Sequence, residues 1–428
     1  MRTASKHLIQ SLKQSAIDLA ILANNFREVT APLARMRKTV TPTSCSSAKR
    51  FMILASDPHA PDGSMGELAM LSGLMQEVRR KIPDSTFSVV GANAHQIQVP
   101  RIGSVPVLAA WVGREGTEAF HRALMQHDAV LGLGADVLDG KYGAALVCRF
   151  ASYLNHATLM GKPAAIMGFS FNASPRTPAK FSLARLSKQV KVNVRDQYSL
   201  ERFKAATGTD GTLCADVAFL MQPADRVHDA VDQWIRDCRS AEFRPVAINL
   251  NAHAFSTTLA RMSVSGFVAL IAEQLTKAAR QHALAYLLLP HDTKPHSGDI
   301  DLLKALSDQL TANGVERVRY AMLTDPSDIK AAVGRVDLVV TGRMHLAIAS
   351  LGMGIPTLSI TYQDKFEGLY KHFGLGSQYM LTPDACVSSQ LMPAITNTMS
   401  GLGPYKAQIQ AKCTHIRALS QGNLDVLG

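Results

Sequence analysis

From residue 50 onward, short runs rich in Val, Ile and Leu alternate with stretches of helical periodicity, and few folds accept that alternation. RFMILAS (50–56) reads as a first strand and GSMGELAMLSGLMQEVRRKI (63–82) as the helix behind it. FSVVGA (87–92), AVLGLG (129–134), PAAIMGFSF (163–171) and VNVRD (192–196) read as further strands, with helical patterns near 142–160 and 199–206. A second series starts at PVAINLN (245–251). It continues through helix 264–281, AYLLLPH, helix 299–312, RVRYAML, helix 326–333, DLVVTG, helix 344–352 and PTLSITY. Strands apolar on both faces, each followed by a helix, specify parallel sheets built from βαβ units. Two such series predict an α/β protein with two doubly wound Rossmann-like domains facing across a cleft. The predicted parts are a basic leader helix and linker (1–50), an N-terminal domain (51–235), a C-terminal domain (236–400) and a C-terminal helix (401–428) packing back on the first domain. Ligands of such sheets bind at the carboxyl ends of the strands.

Composition narrows the class. With 47% hydrophobic and 18% charged residues the 428-residue chain is an ordinary globular protein. Six scattered cysteines form no CxxC pair, which argues against a metal centre or disulfide framework and fits a reducing, cytoplasmic setting. The net charge of +11 is uneven: residues 1–50 hold nine Lys/Arg against Asp18 and Glu28. No basic stripe interleaved with aromatics is present, so nucleic acid is not an expected partner. In the leader, Leu8, Leu12, Ala16, Leu19 and Ala23 recur at helical spacing. The favoured reading is a helix packed on the body. The other is an amphipathic anchor, with residues 1–38 peripheral on the inner face of the cytoplasmic membrane. TVTPTSCSSAKR (39–50) reads as the linker.

Chemistry is expected at strand ends. Arg343 opens the helix after DLVVTG, where free amides and the helix dipole favour an anion, and its guanidinium can fork onto two oxygens. His345 can donate to the same anion or move a proton. The plainer alternatives are a loop-capping arginine and a core histidine. NVRDQYSLERF (193–203) repeats the pattern with Arg195, and Ser199 is placed to cap the helix that follows. A further strand ends in Tyr362, Gln363, Asp364 and Lys365. Arg195, Arg343 and Lys365 thus sit at three strand ends, where one anionic ligand would meet all of them.

GRMHLAIASLGMGIPTLSITYQDKFEGLY (342–370) resembles the C-terminal signature of the polysaccharide pyruvyl transferase family: Arg-x-His, helix, Gly-x-Pro, strand, Tyr, Lys. GSMGELAML (63–71), GLGADVLDG (132–140), GFSF (168–171), VNVRDQYSLERFK (192–204), ADVAFLM (215–221) and LLLPHD (287–292) resemble its earlier blocks in order. Glu67 stands where the family usually has Asp, Leu133 and Ala135 interrupt its glycine run, and Leu346 replaces a glycine. The resemblance implies transfer of the pyruvyl group of phosphoenolpyruvate to two sugar hydroxyls as a ketal, with release of phosphate and no cofactor or metal. It implies donor binding by Arg195, Arg343 and Lys365, and assistance to phosphate departure by His345. Asp136, Asp139 and Glu67 are the candidate bases, although an aspartate placed like Asp139 is more often a turn residue than a base. His291 and Asp292 would line the side of the acceptor, a free or lipid-linked sugar.

A nucleotide-sugar-dependent glycosyltransferase of the same GT-B-like architecture is the alternative, since the Arg343 helix would also cradle a diphosphate. A Rossmann dehydrogenase is disfavoured because no GxGxxG follows the first strand.

Overall fold

The computed structural model describes residues 2–37, 49–292, 298–361 and 365–427. The first sheet comprises β1 (Arg50–Leu54), β2 (Thr86–Gly91), β3 (His95–Val99), β4 (Gly103–Ala109), β5 (Ala129–Leu133), β6 (Ala164–Phe169), β7 (Val190–Val194) and β8 (Thr212–Leu213). Its order is β3-β4-β2-β1-β5-β6-β7-β8, parallel except for the β3–β4 pair. The second comprises β9 (Arg244–Asn249), β10 (Leu284–Leu288), β11 (Val318–Tyr320), β12 (Leu338–Thr341), β13 (Thr357–Ile360) and β14 (Met380–Leu381), in the order β11-β10-β9-β12-β13-β14.

Strand residues alternate between two buried faces, as sheets covered by helices on both sides require. In the second sheet Val246, Ile248, Leu284, Tyr286, Leu288, Leu338 and Val340 join one core, and Ala247, Leu287 and Val339 the other. The first sheet builds its core under Phe120, Phe150 and Tyr153, all fully buried. The β3–β4 hairpin carries no signal of the parallel pattern. HQIQV alternates polar and apolar at a sheet edge, with His95, Gln96 and Gln98 exposed, the pattern of a half-buried antiparallel strand that the βαβ series does not include.

Compact unit one consists of Met1–Pro61, Glu77–Val217 and Leu419–Gly428; unit two of Asp62–Gln76 and Ala218–Ala418. The division at Val217–Ala218 lies upstream of the expected 235/236, which falls inside the helix Asp229–Ser240. Val231 and Ile235 of that helix pack into the second unit's core. The helix Leu402–Gln421 lies mostly in the second unit, and only the chain from Leu419 onward joins the first.

The leader forms a helix, Arg2–Asn25, a wide turn over Phe26–Thr30 and a helix, Ala31–Arg37. It packs on the first unit through Val29 and Leu33, an ion pair from Asp18 to Arg176 at 2.7 Å, and Asn25 donating to Ser152 Oγ at 3.1 Å. Most of the expected linker lies outside the described residues.

Candidate active site

The second sheet is built outward in both directions from the parallel neighbours β9 and β12, so the order of strands reverses between them and their carboxyl ends form a switch point, the place where sheets of this kind take ligands. Asn249 pairs with Thr341 across this boundary. Thr341 Oγ1 donates to Asn249 Oδ1 at 3.2 Å, and Asn249 Nδ2 donates to Leu289 O at 3.0 Å and to Asp299 Oδ2 at 3.3 Å. Asn251 Nδ2 donates to Gly342 O at 3.2 Å. Asn249, Thr341 and Asp299 are fully buried and hydrogen-bonded, a polar network that sets the geometry of the strand ends.

Arg343 stands on this network at the start of the helix Met344–Gly352. Its Nε and Nη2 donate to the two oxygens of Asp299 at 3.0 and 2.7 Å, and Nη1 lies 3.1 Å from Asp292 Oδ2. Burial raises the Asp299 carboxyl above the usual carboxylate range, against the Arg343 hydrogen bonds that pull it down. The fork on Asp299 fixes the guanidinium plane, while the Asp292 contact lies at the partly exposed edge. His291, after β10, is buried; burial first, then the neighbouring His345 and Arg343, lowers its imidazole to about 3. It is therefore neutral near pH 7. His345, two residues beyond Arg343, lies against the first turn of the helix Met65–Lys81. A Cβ on Gly66 would sit 2.3 Å from His345 Nδ1, so only glycine lets the two approach.

A family model, polysaccharide pyruvyl transferase, matches residues 65–364, most of the chain and all of this constellation up to Asp364. The chain belongs to the polysaccharide pyruvyl transferase family. No curated protein matches the sequence. Among solved structures, a UDP-GlcNAc 2-epimerase from Neisseria meningitidis bound to UDP-GlcNAc superposes with a TM-score of 0.54 at 9% identity, over 88% of this chain and 99% of that one. An S. aureus MnaA–UDP co-structure gives 0.55 at 9% identity over 87% and 94%. Anabaena HepE in complex with UDP and glucose gives 0.50 at 15% identity over 89% and 96%. At these identities the likeness concerns the fold, which is GT-B.

The remaining motif residues of this family member take varied positions. Lys365 is half-buried at the start of the helix Lys365–His372, and Tyr362, Gln363 and Asp364 lie outside the described residues. Glu67, half-buried, closes a capping box: Ser64 Oγ accepts from its backbone N–H at 3.2 Å and donates to its carboxylate at 3.1 Å. Asp136 is half-buried just after β5, beside Ala135, whose φ of 44° is the left-handed conformation that the family's glycine would adopt without strain.

Two residues expected at the ligand are interior instead. Arg195 is 3% exposed, donating to Ser170 Oγ at 2.6 Å and to Asp216 at 2.8 Å. Asp139 is fully buried, accepting from Lys141 N–H at 2.9 Å and from the Asn172 amide, and so ties its own loop together. Ser199 is not the cap of its helix: Asp196 is, accepting from Ser199 N–H at 2.8 Å, while Ser199 Oγ accepts from Phe171 N–H at 2.9 Å.

Sequence reasoning missed Asn249, Asn251, Thr341 and Asp299. The asparagines carried a signal, two amides interrupting an apolar strand end in PVAINLN. Asp299 carried none, since an acid in the first turn of a helix is commonplace.

Proposed function

We propose that this family member transfers the pyruvyl group of phosphoenolpyruvate to two hydroxyls of a sugar in a polysaccharide or its precursor, forming a cyclic ketal and releasing phosphate. The observation that carries this reading is the Arg343–His345 pair at the strand switch point, oriented by Asp299 and faced by the Met65–Lys81 helix N-terminus, within the family's matched region. A ligand bearing carboxylate and phosphate is attracted by the cation, the helix end and Lys365.

Bound donor takes over Arg343 Nη1 from Asp292, while the fork on Asp299 keeps the guanidinium aimed. The methylene carbon of the donor gains a proton, which leaves an oxocarbenium-like carbon open to the first hydroxyl. Phosphate then departs with the second hydroxyl's attack. Two hydroxyl protons are lost, one replacing that given to the methylene and one leaving with phosphate. His345 assists phosphate departure. Asp136, Glu67 and the displaced Asp292 are the candidate bases. Arg195, held by Asp216, shapes the end of β7. The acceptor is free or lipid-linked, and the reaction is a cytoplasmic one.

Phosphate release from phosphoenolpyruvate, measured across soluble and lipid-linked oligosaccharides, tests the reading. Nucleoside diphosphate release from a nucleotide sugar, with no turnover of phosphoenolpyruvate, would replace it by the glycosyl-transfer alternative. His345→Gln is expected to lower turnover more than donor affinity, and Lys365→Ala to raise chiefly the half-saturating donor concentration.

A further inference from the structure

The leader helix is inverted with respect to its own amphipathicity. Leu12, Ala16, Leu19, Ala23 and Phe26 follow one another at steps of four and three, so they form one face. All five are exposed, Leu12, Leu19 and Phe26 by 62%, 68% and 63%, and Ile17 beside them by 53%. The residue turned toward the protein is the charged one, Asp18, 8% exposed and paired with Arg176. Glu28, the leader's other acid, lies between Arg27 and Arg149 at 3.2 and 3.9 Å. Both negative charges are thereby neutralised. Lys13 is exposed on the flank of the apolar face, and Arg27, about four helical turns further on, is exposed there with its charge shared with Glu28. Near Phe26 the apolar surface continues into a groove of about 760 Å³ lined by Leu22, Leu159 and Phe181, with Arg37 and Arg185 among its walls.

We propose that this face is a docking surface for an anionic phospholipid membrane, on which the leader lies in the interface plane. Exposed leucines and a phenylalanine on one side of a helix, flanked by cations and free of acids, match the apolar boundary and negative headgroups of such a surface. No helix among the described residues is long and apolar enough to cross a membrane, so the contact is lateral. Charge complementarity favours the bilayer over a second copy of the chain, because a second such face would bring another cationic flank, Lys13 included, against this one. The inference is independent of the reaction proposed above and survives its failure.

The test is flotation of the full chain with phosphatidylglycerol-containing vesicles and with phosphatidylcholine vesicles, at low and high salt. Binding is expected to the anionic vesicles, weakened by salt. Leu12→Asp combined with Leu19→Asp is expected to reduce it by roughly tenfold per leucine, at an unchanged melting temperature because both side chains face solvent. Lys13→Glu, which removes no apolar surface, is expected to weaken binding at low salt and not at high salt. Absence of wild-type binding to anionic vesicles, or equal binding by the double variant, overturns the proposal. A dimer of the wild type that the double variant loses also overturns it and assigns the face to a second copy.

Discussion

At the residue scale the site depends on contacts that no single side chain reveals. Arg343, the proposed anion-binding group, is held in one orientation by Asp299 through two hydrogen bonds of 3.0 and 2.7 Å. His345 likewise keeps its place because residue 66 lacks a Cβ. Gly66→Ala is therefore expected to push the imidazole aside and lower turnover at least tenfold, with little loss of helix stability, since alanine is the better helix former. The check is a double-mutant cycle with His345→Ala: the Gly66→Ala effect on turnover should vanish once the ring is gone. Equal effects of Gly66→Ala in both backgrounds would mean that the contact is packing alone. The Arg-x-His pair was legible in the sequence because a strand–helix junction is a local pattern. Asp299 was not, because its partnership with Arg343 spans 44 residues of chain.

Among the elements, the last turn of the chain carries weight out of proportion to its length. Asn423, fully buried at the start of the turn Gly422–Leu427, donates to Ala215 O and Ser420 O at 2.8 Å and accepts from Gly168 N–H at 2.7 Å. Its own carbonyl accepts from Asn193 at 3.2 Å. One side chain thus satisfies backbone groups at the ends of β6 and β8. Asn423→Ala leaves these buried groups unpaired and is expected to cost about 2–4 kcal/mol, given about 1–3 kcal/mol per orphaned group. Denaturant unfolding would register this as a lower midpoint, and a midpoint within error of the wild type would show the turn to be dispensable. The sequence offered the whole segment 401–428 as the element packing on the first domain; in the structure the buried hydrogen bonds here centre on one asparagine, Asn423.

For the whole molecule, three buried histidines make stability depend on pH. His121 Nδ1 and His156 Nε2 lie 2.9 Å apart inside the first unit. Burial lowers both, with the charge on Arg122 adding at His121, and with those on His121 and Arg37 adding at His156, which falls to about 4. His291 in the second unit falls to about 3. An unfolded chain binds these protons near the ordinary value of 6.5, so the unfolded state gains more protons as acid is added. The stability from keeping the three neutral is complete above about pH 6.5 and is lost as pH falls through the folded values. Thermal melts between about pH 7 and pH 4 should show a steadily falling midpoint, and His156→Gln should flatten that decline. A midpoint constant over the range would exclude the effect. The two series of strands alternating with helices, and the positions of the glycine-bearing strand ends, were determined by the sequence itself, because alternation and helical period are local properties of neighbouring residues; the order of strands within each sheet was not. Only the tertiary structure decided which acid each arginine meets, Asp299 for Arg343 and Asp216 for Arg195, and which face of the leader turns outward. Those outcomes depend on burial and on partners distant in the chain, and Leu12, Leu19 and Asp18 have the same spacing whichever side faces the protein.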